Sequence, residues 1–407
     1  MHLDDLVLYD NIQQLVTMKG VAAKRGRHPT EEDLGVIENA AMVVESSNEK
    51  ILWAGPSADL PSPYQDIVNV FSGEDEVWIP ELVDCHTHLV HAGSRHHDYA
   101  MRAKGKTYQD IAKEGGGILF TLAHTREASE NELMENGNAE IERFQKYGVG
   151  VIEVKSGYGL TLDSELRLLG CVRELQRLNT AVLVPTFMPA HATPPEFRGR
   201  TDEYVDVICR EWIPEVAKSK LAVFFDAFVE EGFFSVAQAR KMGEAAASHG
   251  FKLKFHCDQF NDIGATPLAV DLKATSADHL DFISPASIEK LAGSETVAVL
   301  LPGSSLFMGA PYPPARKLID AGARVALSTD YNPGTSPTRN LPLMTTLACS
   351  QMKMTVPEAL AAITYNAAAA LSLEDKVGSL QEGKLFRACQ LKSQSYEALP
   401  YSFGELE

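Results

Sequence analysis

The sequence predicts an α/β protein: a (β/α)8 TIM-like barrel with a small β-sandwich-like subdomain built from the N- and C-terminal segments. From about residue 79, eight short apolar runs typical of buried strands alternate with helix-like stretches, as in repeated β-α units around a parallel sheet. Residues 1–78 contain short β-like runs between polar turns, and residues 378–407 return to that texture. The catalytic barrel is therefore predicted over residues 79–377.

The individual elements follow from their apolar periodicity and their end signals. The helix predicted over 235–249 has Ser235 as N-cap and Gly250 as its stop, and the helix predicted over 160–178 follows a Gly-Tyr-Gly turn. The N-terminal strand-like runs are 6–9, 41–44, 51–54 and 67–70. The predicted barrel strands are 79–85, 149–155, 181–187, 221–230, 251–257, 274–278, 296–301 and 324–330.

Composition and charge argue against a nucleic-acid or membrane partner. The formal net charge of −18 leaves no concentrated basic surface for either, so an anionic substrate would need a local cation. No apolar run approaches the roughly 18 residues that span a bilayer. The six cysteines form no Cys-x-x-Cys pair, and the first residues lack a basic segment followed by an apolar core. A reduced, cytoplasmic enzyme is expected.

Two histidines separated by one residue end the first predicted barrel strand. In a strand, His86 and His88 point to the same face and can bind one ion together. Catalytic zinc sites take about three protein ligands. His256 and Asp330, at the ends of the fifth and eighth strands, supply a third imidazole and a carboxylate at the barrel rim where active sites lie. These four residues are the predicted metal ligands.

Three further rim residues have alternative interpretations. Asp330 precedes Asn-Pro-Gly and could form a turn or cap a helix, but it could also act as the general base that takes a proton from water. His279 is either a buried structural histidine or a residue that orients the water and shares the proton transfer. His191 lies in a proline-rich loop, and the roles of ligand, substrate donor and loop residue remain open for it.

Charged and aromatic residues near the rim also have alternative interpretations. Arg95 is either a surface charge or the cation that holds a substrate carboxylate. Tyr158 could supply a hydroxyl or pack over the rim. Lys155 could bridge two metals if carbamylated, but its position before a tight turn favours a structural or electrostatic role. The histidines placed outside the site, as surface or helix residues, are His91, His96, His97, His124 and His249.

Several segments are more specific than the His-x-His pair. Lys-Ser-Gly-Tyr-Gly at 155–159 and Asp-Tyr-Asn-Pro-Gly at 330–334 are the most distinctive. Others lie at 83–95, 115–118, 191–192, 256–259, 276–280 and 298–303. Together they resemble the metal-dependent amidohydrolase superfamily, and within it the branch that opens the ring of 4-imidazolone-5-propanoate in histidine degradation.

The resemblance implies a set of roles for residues of this sequence. One zinc or iron ion would be held by His86, His88, His256 and Asp330, and Lys155 would not be a metal bridge. The small anionic substrate would lose its ring C–N bond to give N-formimidoyl-L-glutamate, and a homodimer is left open. The expected substrate-binding residues are Arg95, Tyr158, His191, Gln259, Asn332, Gly334 and Thr335.

Three positions depart from the pattern of that branch. Gln259 stands where some members have glutamate, and since an amide cannot act as a base, proton transfer is left to Asp330 and His279. Glu81 stands where glycine is common, and the tail at 383–389 lacks the usual strand sequence.

The alternative functions are another cyclic amidohydrolase or aminohydrolase of the superfamily, or a non-catalytic metal-binding protein. A neutral nucleobase has no carboxylate for Arg95, which disfavours the aminohydrolase.

Overall fold

In the computed structural model, which describes residues 3–106, 110–111 and 114–406, the chain forms two sheets. The outer ends of the predicted segments 1–78 and 378–407 lie outside these residues. The smaller sheet has six strands in the order β14-β5-β1-β2-β3, with β4 beside β1. Its strands are β1 (Leu6–Val16), β2 (Val36–Glu45), β3 (Lys50–Pro56), β4 (Val70–Ser72), β5 (Val77–Pro80) and β14 (Ala388–Leu391).

The larger sheet has eight strands, β6 to β13, and each pairs in parallel with its neighbours in sequence. The sheet curls until its two ends approach each other, where His88 N–H donates to Tyr331 O at 2.8 Å. The predicted α/β barrel is therefore confirmed. Its strands are β6 (Leu82–Asp84), β7 (Val149–Lys155), β8 (Val182–Ala190), β9 (Phe224–Val229), β10 (Lys252–Cys257), β11 (Ser276–His279), β12 (Val297–Leu300) and β13 (Val325–Leu327).

Asp84, the last residue of β6, joins the first barrel strand to the last. Its buried carboxylate accepts hydrogen bonds from the Ser328 hydroxyl and, at 2.6 Å, from the Thr329 hydroxyl. Both partners follow β13 directly. This contact brings His86 next to Asp330.

The predicted strand 79–85 was wrong as a single element. Residues Val77–Pro80 pair with β1 and β14, Leu82–Asp84 pair with β7, and the chain changes sheet at Glu81. Both strands are fully buried, so together they appear in the sequence as one apolar run without a visible break.

The Glu81 carboxylate lies 2.5 Å from Arg387 Nε in the C-terminal tail, so two positions that depart from the family pattern contact each other. A Cβ at Gly150 would overlap the Glu81 carboxylate, so glycine at 150 leaves it room.

The two predicted helices are confirmed. Val236–Ser248 starts with a capping box formed by Ser235 and Gln238. Leu162–Leu178 starts at Thr161, whose hydroxyl accepts from Ser164 N–H. The other α-helices are Lys19–Ala23, His96–Ala103, Ile118–Glu127, Glu130–Gln145, Thr201–Val207, Ile213–Ser219, Ala265–Asp271, Pro285–Ala292, Pro302–Met308, Ala315–Asp320, Leu341–Met352, Val356–Ala362, Tyr365–Ala369 and Ala398–Tyr401. A π-helical segment covers Ile208–Trp212, and short 3-10 helices cover Leu3–Asp5, Glu32–Leu34, Ser57–Asp59, Ser62–Tyr64 and Pro195–Phe197.

Among the helices that the structure describes, none has the length and apolarity needed to cross a membrane.

The barrel interior changes from apolar to charged along its axis. Val151, Glu153 and Lys155 share one face of β7, because side chains on a strand alternate with a period of two. Val151 belongs to an apolar layer with Phe224 and Val299, whereas Glu153 and Lys155 lie above it and are fully buried. The histidines of the rim lie above these charges.

Candidate active site

The predicted site residues meet in one cavity of about 440 Å³ at the carboxyl ends of the barrel strands. His86 and His279 stand beside its lining, next to the ring of His256. Gly334 lies behind Arg95. The predicted residues that line the cavity directly are His88, Arg95, Tyr158, His191, His256, Gln259, Asp330, Asn332 and Thr335.

Four histidine rings and one carboxylate form a compact buried cluster. The ring centre of His86 lies 4.5 Å from that of His256 and 5.6 Å from that of His88. Ligand atoms of His86, His88 and Asp330 all lie within 4.8 Å of one another, and so do those of His86, His256 and His279. The topology has thus brought together side chains from β10 and β11 and from the segments that follow β6 and β13.

Carboxylates beneath the cluster orient two of these histidines. Nδ1 of His86 lies 2.6 Å from Asp278 Oδ2, and Nδ1 of His256 lies 3.1 Å from Asp226 Oδ1. With Nδ1 bonded, each ring turns its Nε2 toward the cluster. Neither Nε2 atom, nor Nδ1 of His88, has a hydrogen-bond partner within the part of the chain that the structure describes.

These unpaired nitrogens test whether a metal fits the site. A buried polar atom without a partner costs about 1–3 kcal/mol, and an ion bound between the rings would remove that cost. A carboxylate-bonded imidazole is the usual form of a metal-binding histidine, and nitrogen donors with one carboxylate suit zinc and iron. The residues present therefore fit a metal ion.

The electrostatics keep the imidazoles in the form that binds metal. Burial lowers the pKa of His86 well below its ordinary value, and the nearby Lys155 ammonium lowers it further. Burial likewise lowers the pKa of His88, with His191 adding to the effect. Because only neutral imidazole binds a metal, these shifts favour ligation at neutral pH.

Asp330 and His279, the two predicted proton-transfer residues, both have left-handed backbone. The φ angles are +54° at Asp330 and +81° at His279, which is rare for residues other than glycine and is often found at functional sites. Asp330 Oδ1 lies 3.5 Å from His86 Nε2, so its side chain points into the cluster. Burial raises the pKa of Asp330 to about 8 and lowers that of His279 well below its ordinary value. At neutral pH a carboxyl group with that pKa is largely protonated, and a cation bound beside it would favour the ionised form that can accept a proton.

Arg95 occupies a cradle at the other side of the cavity. Its Nε lies 3.6 Å from Asp98 Oδ2, and the Asp98 carboxylate is held in turn by the Gly117 N–H at 2.8 Å. A Cβ at Gly334 would overlap the Arg95 guanidinium, so the absence of a side chain there makes room for it. Arg95 is buried rather than a solvated surface charge.

His191 and Tyr158 line the cavity beside His88. The His191 ring stacks on His88 with centres 4.8 Å apart, and its Nδ1 lies 3.1 Å from Gly157 O. Burial, followed by the neighbouring His256, lowers the pKa of His191 to about 3. The Tyr158 ring packs 5.1 Å from that of His191. Both side chains line the cavity, and His191 is a buried neutral imidazole.

The loop after Asp330 is shaped by Asn332. The Asn332 Oδ1 accepts from the Gly334 and Thr335 N–H groups at 2.8 Å each, and its Nδ2 donates to Asp330 O at 2.7 Å. Asn332 therefore holds the turn expected from Asn-Pro-Gly, and the Asp330 carboxylate is not needed to hold it. Gln259 also lines the cavity.

Lys155 lies beneath the cluster and does not reach the cavity. Its Nζ is 2.7 Å from Asp226 Oδ2 and 2.9 Å from Glu153. Burial alone would lower the pKa of Lys155, but the surrounding carboxylates raise it above its ordinary value. Because carbamylation needs the neutral amine, this environment favours the electrostatic interpretation of Lys155.

The sequence interpretation missed several residues around the site. Phe228, Phe233 and Phe260 form an apolar wall, and Asp98 and Arg102 lie near Arg95. The buried charges Glu153, Asp226, Lys254 and Asp278 were also missed. The sequence signal for these four buried charges is a charged residue inside an otherwise apolar strand.

One excluded histidine needs correction. His91 is not a surface residue: it is half-buried, with ring centres 5.9 Å from Tyr158 and 5.8 Å from Tyr331, and its Nδ1 bonds to His88 O at 3.0 Å. The other excluded histidines, His96, His97, His124 and His249, are exposed in or at the end of helices.

Comparison with known proteins gives one family and many full-length relatives. The model of the Amidohydrolase family matches residues 77–393. An imidazolonepropionase from Bdellovibrio bacteriovorus is 44% identical over 401 residues, which cover 98% of this chain and 93% of that relative. An imidazolonepropionase from Symbiobacterium thermophilum is 43% identical over 96% of this chain and 92% of its own length.

Solved structures share the fold at low sequence identity. A triazine hydrolase variant superposes with a TM-score of 0.72 at 15% identity, over 95% of this chain and 87% of that one. An adenosine deaminase from Xanthomonas campestris with bound zinc superposes with a TM-score of 0.64 at 15% identity, over 95% and 84% of the two chains. Identities this low show the common fold alone.

Proposed function

The chain belongs to the amidohydrolase family, and we propose that it hydrolyses the ring C–N bond of 4-imidazolone-5-propanoate to give N-formimidoyl-L-glutamate in histidine degradation. The curated relatives that carry the name imidazolonepropionase match nearly the whole chain at 40–44% identity. The observation that carries the proposal is that a buried arginine and a buried histidine-carboxylate cluster line the same cavity. A substrate with both a carboxylate and a hydrolysable ring amide suits that pair.

The residues proposed to hold the metal ion are His86, His88, His256 and Asp330. When bound, the ion supplies Lewis-acid chemistry: it polarises a carbonyl and lowers the pKa of water.

Arg95 is proposed to orient the substrate. A guanidinium binds a carboxylate through two parallel hydrogen bonds, and here it is fixed by Asp98 and by the space over Gly334. Holding the propionate at this wall turns the ring carbonyl toward the histidine cluster. Tyr158 and His191 line the path between the two, while the apolar wall of Phe228 and Phe260 limits water in the cavity.

Asp330 and His279 are proposed to move the proton. Asp330 takes a proton from the attacking water as the new C–O bond forms at the ring carbonyl carbon. The C–N bond then breaks, and the ring nitrogen leaves with a proton returned by the same carboxyl group. His279, whose ring centre lies 5.3 Å from that of His256, is placed to assist. Gln259 contributes hydrogen bonds without accepting a proton.

Ultraviolet-monitored loss of freshly prepared imidazolone propionate tests the proposal, with metal-loaded wild type beside Arg95→Ala and Asp330→Asn. Loss of a charge-assisted pair in Arg95→Ala is expected to lower kcat/KM about 10- to 100-fold. Asp330→Asn, with its metal content measured in parallel, is expected to lower kcat about 100- to 10,000-fold.

Two outcomes would contradict parts of this proposal. No turnover by metal-loaded wild type would overturn the assigned reaction and favour another cyclic amide, or a metal-binding protein without catalysis. Turnover that survives Asp330→Asn would exclude Asp330 as the base and leave the substrate assignment intact.

We further propose that the bound metal is zinc or iron, that the protein is cytoplasmic, and that its segments are 1–78, 79–377 and 378–407. A homodimer also stays a prediction. Metal analysis, sedimentation and limited proteolysis would address them.

A further inference from the structure

Five charged side chains lie fully buried inside the barrel, directly beneath the histidine cluster. They are Glu153, Lys155, Asp226, Lys254 and Asp278. Lysine is rarely buried to this extent unless it is paired, and burying five charges costs free energy that an apolar barrel core would avoid. Such a network calls for a role beyond filling the interior.

Lys155 is the central member of this network. Its Nζ lies 2.7 Å from Asp226, 2.9 Å from Glu153 and 3.7 Å from Asp278. Asp226 and Asp278 are the carboxylates that bond to Nδ1 of His256 and His86. One ammonium therefore contacts both carboxylates that orient the two histidines.

We propose that Lys155 is a positioning residue for the metal centre. Its ammonium holds Asp226 and Asp278 side by side, so that the Nε2 atoms of both histidines are directed at one ion. Without this positive charge, two buried carboxylates would repel each other and move apart. Such a movement releases an imidazole from its fixed orientation and weakens metal binding.

This inference goes beyond the proposed reaction, because it does not depend on which cyclic amide is hydrolysed. It depends only on an ion bound by His86 and His256.

Lys254 provides the matched control inside the same barrel. Its Nζ lies 3.7 Å from Glu153 and 3.8 Å from Asp278, and it donates to the backbone carbonyls of Cys85 and Ala370 at 3.2 and 3.3 Å. Among the ion pairs of the described residues, Asp226 has Lys155 as its lysine partner and not Lys254. Loss of Lys254 thus removes an equal buried charge and leaves the Lys155–Asp226–His256 connection in place.

The test measures metal affinity and ligand geometry rather than activity. Full-length protein is stripped with a chelator and titrated with zinc against a competing chromophoric chelator, and the visible spectrum of the cobalt-loaded form reports the ligand geometry. Lys155→Met is expected to weaken zinc binding about 10- to 100-fold and to alter the cobalt spectrum. Lys254→Met is expected to weaken zinc binding clearly less than Lys155→Met, since Lys254 contacts Asp278 but not Asp226, and the effect on His256 is absent.

Each result decides the inference. The inference is overturned if the Lys155→Met variant binds zinc as tightly as wild type, or no more weakly than the Lys254→Met variant. If Lys155→Met does not fold, Asp226→Asn decides instead: the amide can keep the bond to His256 but lacks the ion pair with Lys155, so affinity should fall about tenfold, and unchanged affinity overturns the inference. Wild type that binds no zinc or cobalt would refute the metal centre itself, which is a distinguishable outcome.

Discussion

At the residue scale, the position of the Arg95 guanidinium depends on the absence of a side chain at Gly334. The guanidinium lies where a Cβ at position 334 would be, and its Nε forms an ion pair with Asp98 Oδ2 at 3.6 Å. Gly334 was predicted as a substrate-binding residue, and the structure supports an indirect contribution through the position of Arg95. A side chain at 334 would move Arg95 but would not reach the histidine cluster.

Gly334→Ala is therefore expected to raise KM for imidazolone propionate about tenfold or more, by displacing the carboxylate-binding group, and to change kcat much less. Steady-state kinetics measure the split. Gly170→Ala is the control, because this glycine lies in the helix Leu162–Leu178 with no atom within 4 Å of an added Cβ. A fall in kcat with unchanged KM would show that Gly334 does not act through Arg95.

At the element scale, the contact between Glu81 and Arg387 joins three parts of the chain. Glu81 lies at the turn from β5 to β6, and Arg387 directly precedes β14. Beyond the pair itself, Arg387 donates to the carbonyls of Gly150 and Thr180 at 3.3 and 3.2 Å. The smaller sheet is thereby tied to the start of the barrel strands.

A double-mutant cycle with Glu81→Gln and Arg387→Met checks this connection. Each single change is expected to lower the free energy of unfolding by about 1–3 kcal/mol, because each leaves a half-buried charged group without its partner. The double mutant should lose clearly less free energy of unfolding than the two single mutants together, as measured by urea unfolding. Additive losses would mean that the two side chains do not interact energetically.

At the scale of the whole molecule, metal binding and stability should be linked. The proposed ligand histidines come from strands far apart in sequence, so an ion should bind the folded chain and not the unfolded one. Burial lowers the pKa of His86 and His88 well below the ordinary value and that of His191 to about 3. Below about pH 6.5 the unfolded chain takes up protons on these imidazoles and the folded chain does not, so the contribution of these three histidines to stability falls as the pH falls.

Zinc at roughly 100 times its dissociation constant is expected to stabilise the stripped protein by about 2.7 kcal/mol at pH 7. The gain should shrink toward pH 5, because protons compete with the ion for the imidazoles. Calorimetric Tm values with zinc, with magnesium and with chelator test this. An equal gain from magnesium, which prefers oxygen ligands, would contradict a histidine-rich site.

The sequence by itself determined the barrel and the identity of its chemical groups. Strands buried on both faces appear as apolar runs, so seven of the eight were located to within a few residues, and the first was merged with the end of β5. His86, His88 and Asp330 follow such runs, His256 lies near the end of one, and the carboxyl ends of parallel strands meet at one rim. Local patterns were enough for these conclusions.

The tertiary structure alone decided the features that rest on long-range contacts. The change of sheet at Glu81 needs Arg387, which lies 306 positions away, and the space for Arg95 depends on Gly334. The orientation of His86 and His256 depends on carboxylates from β11 and β9, held in turn by Lys155 from β7. Apolar periodicity does not indicate which distant residue a buried charge contacts. Those contacts form only when all the strands have closed into the barrel.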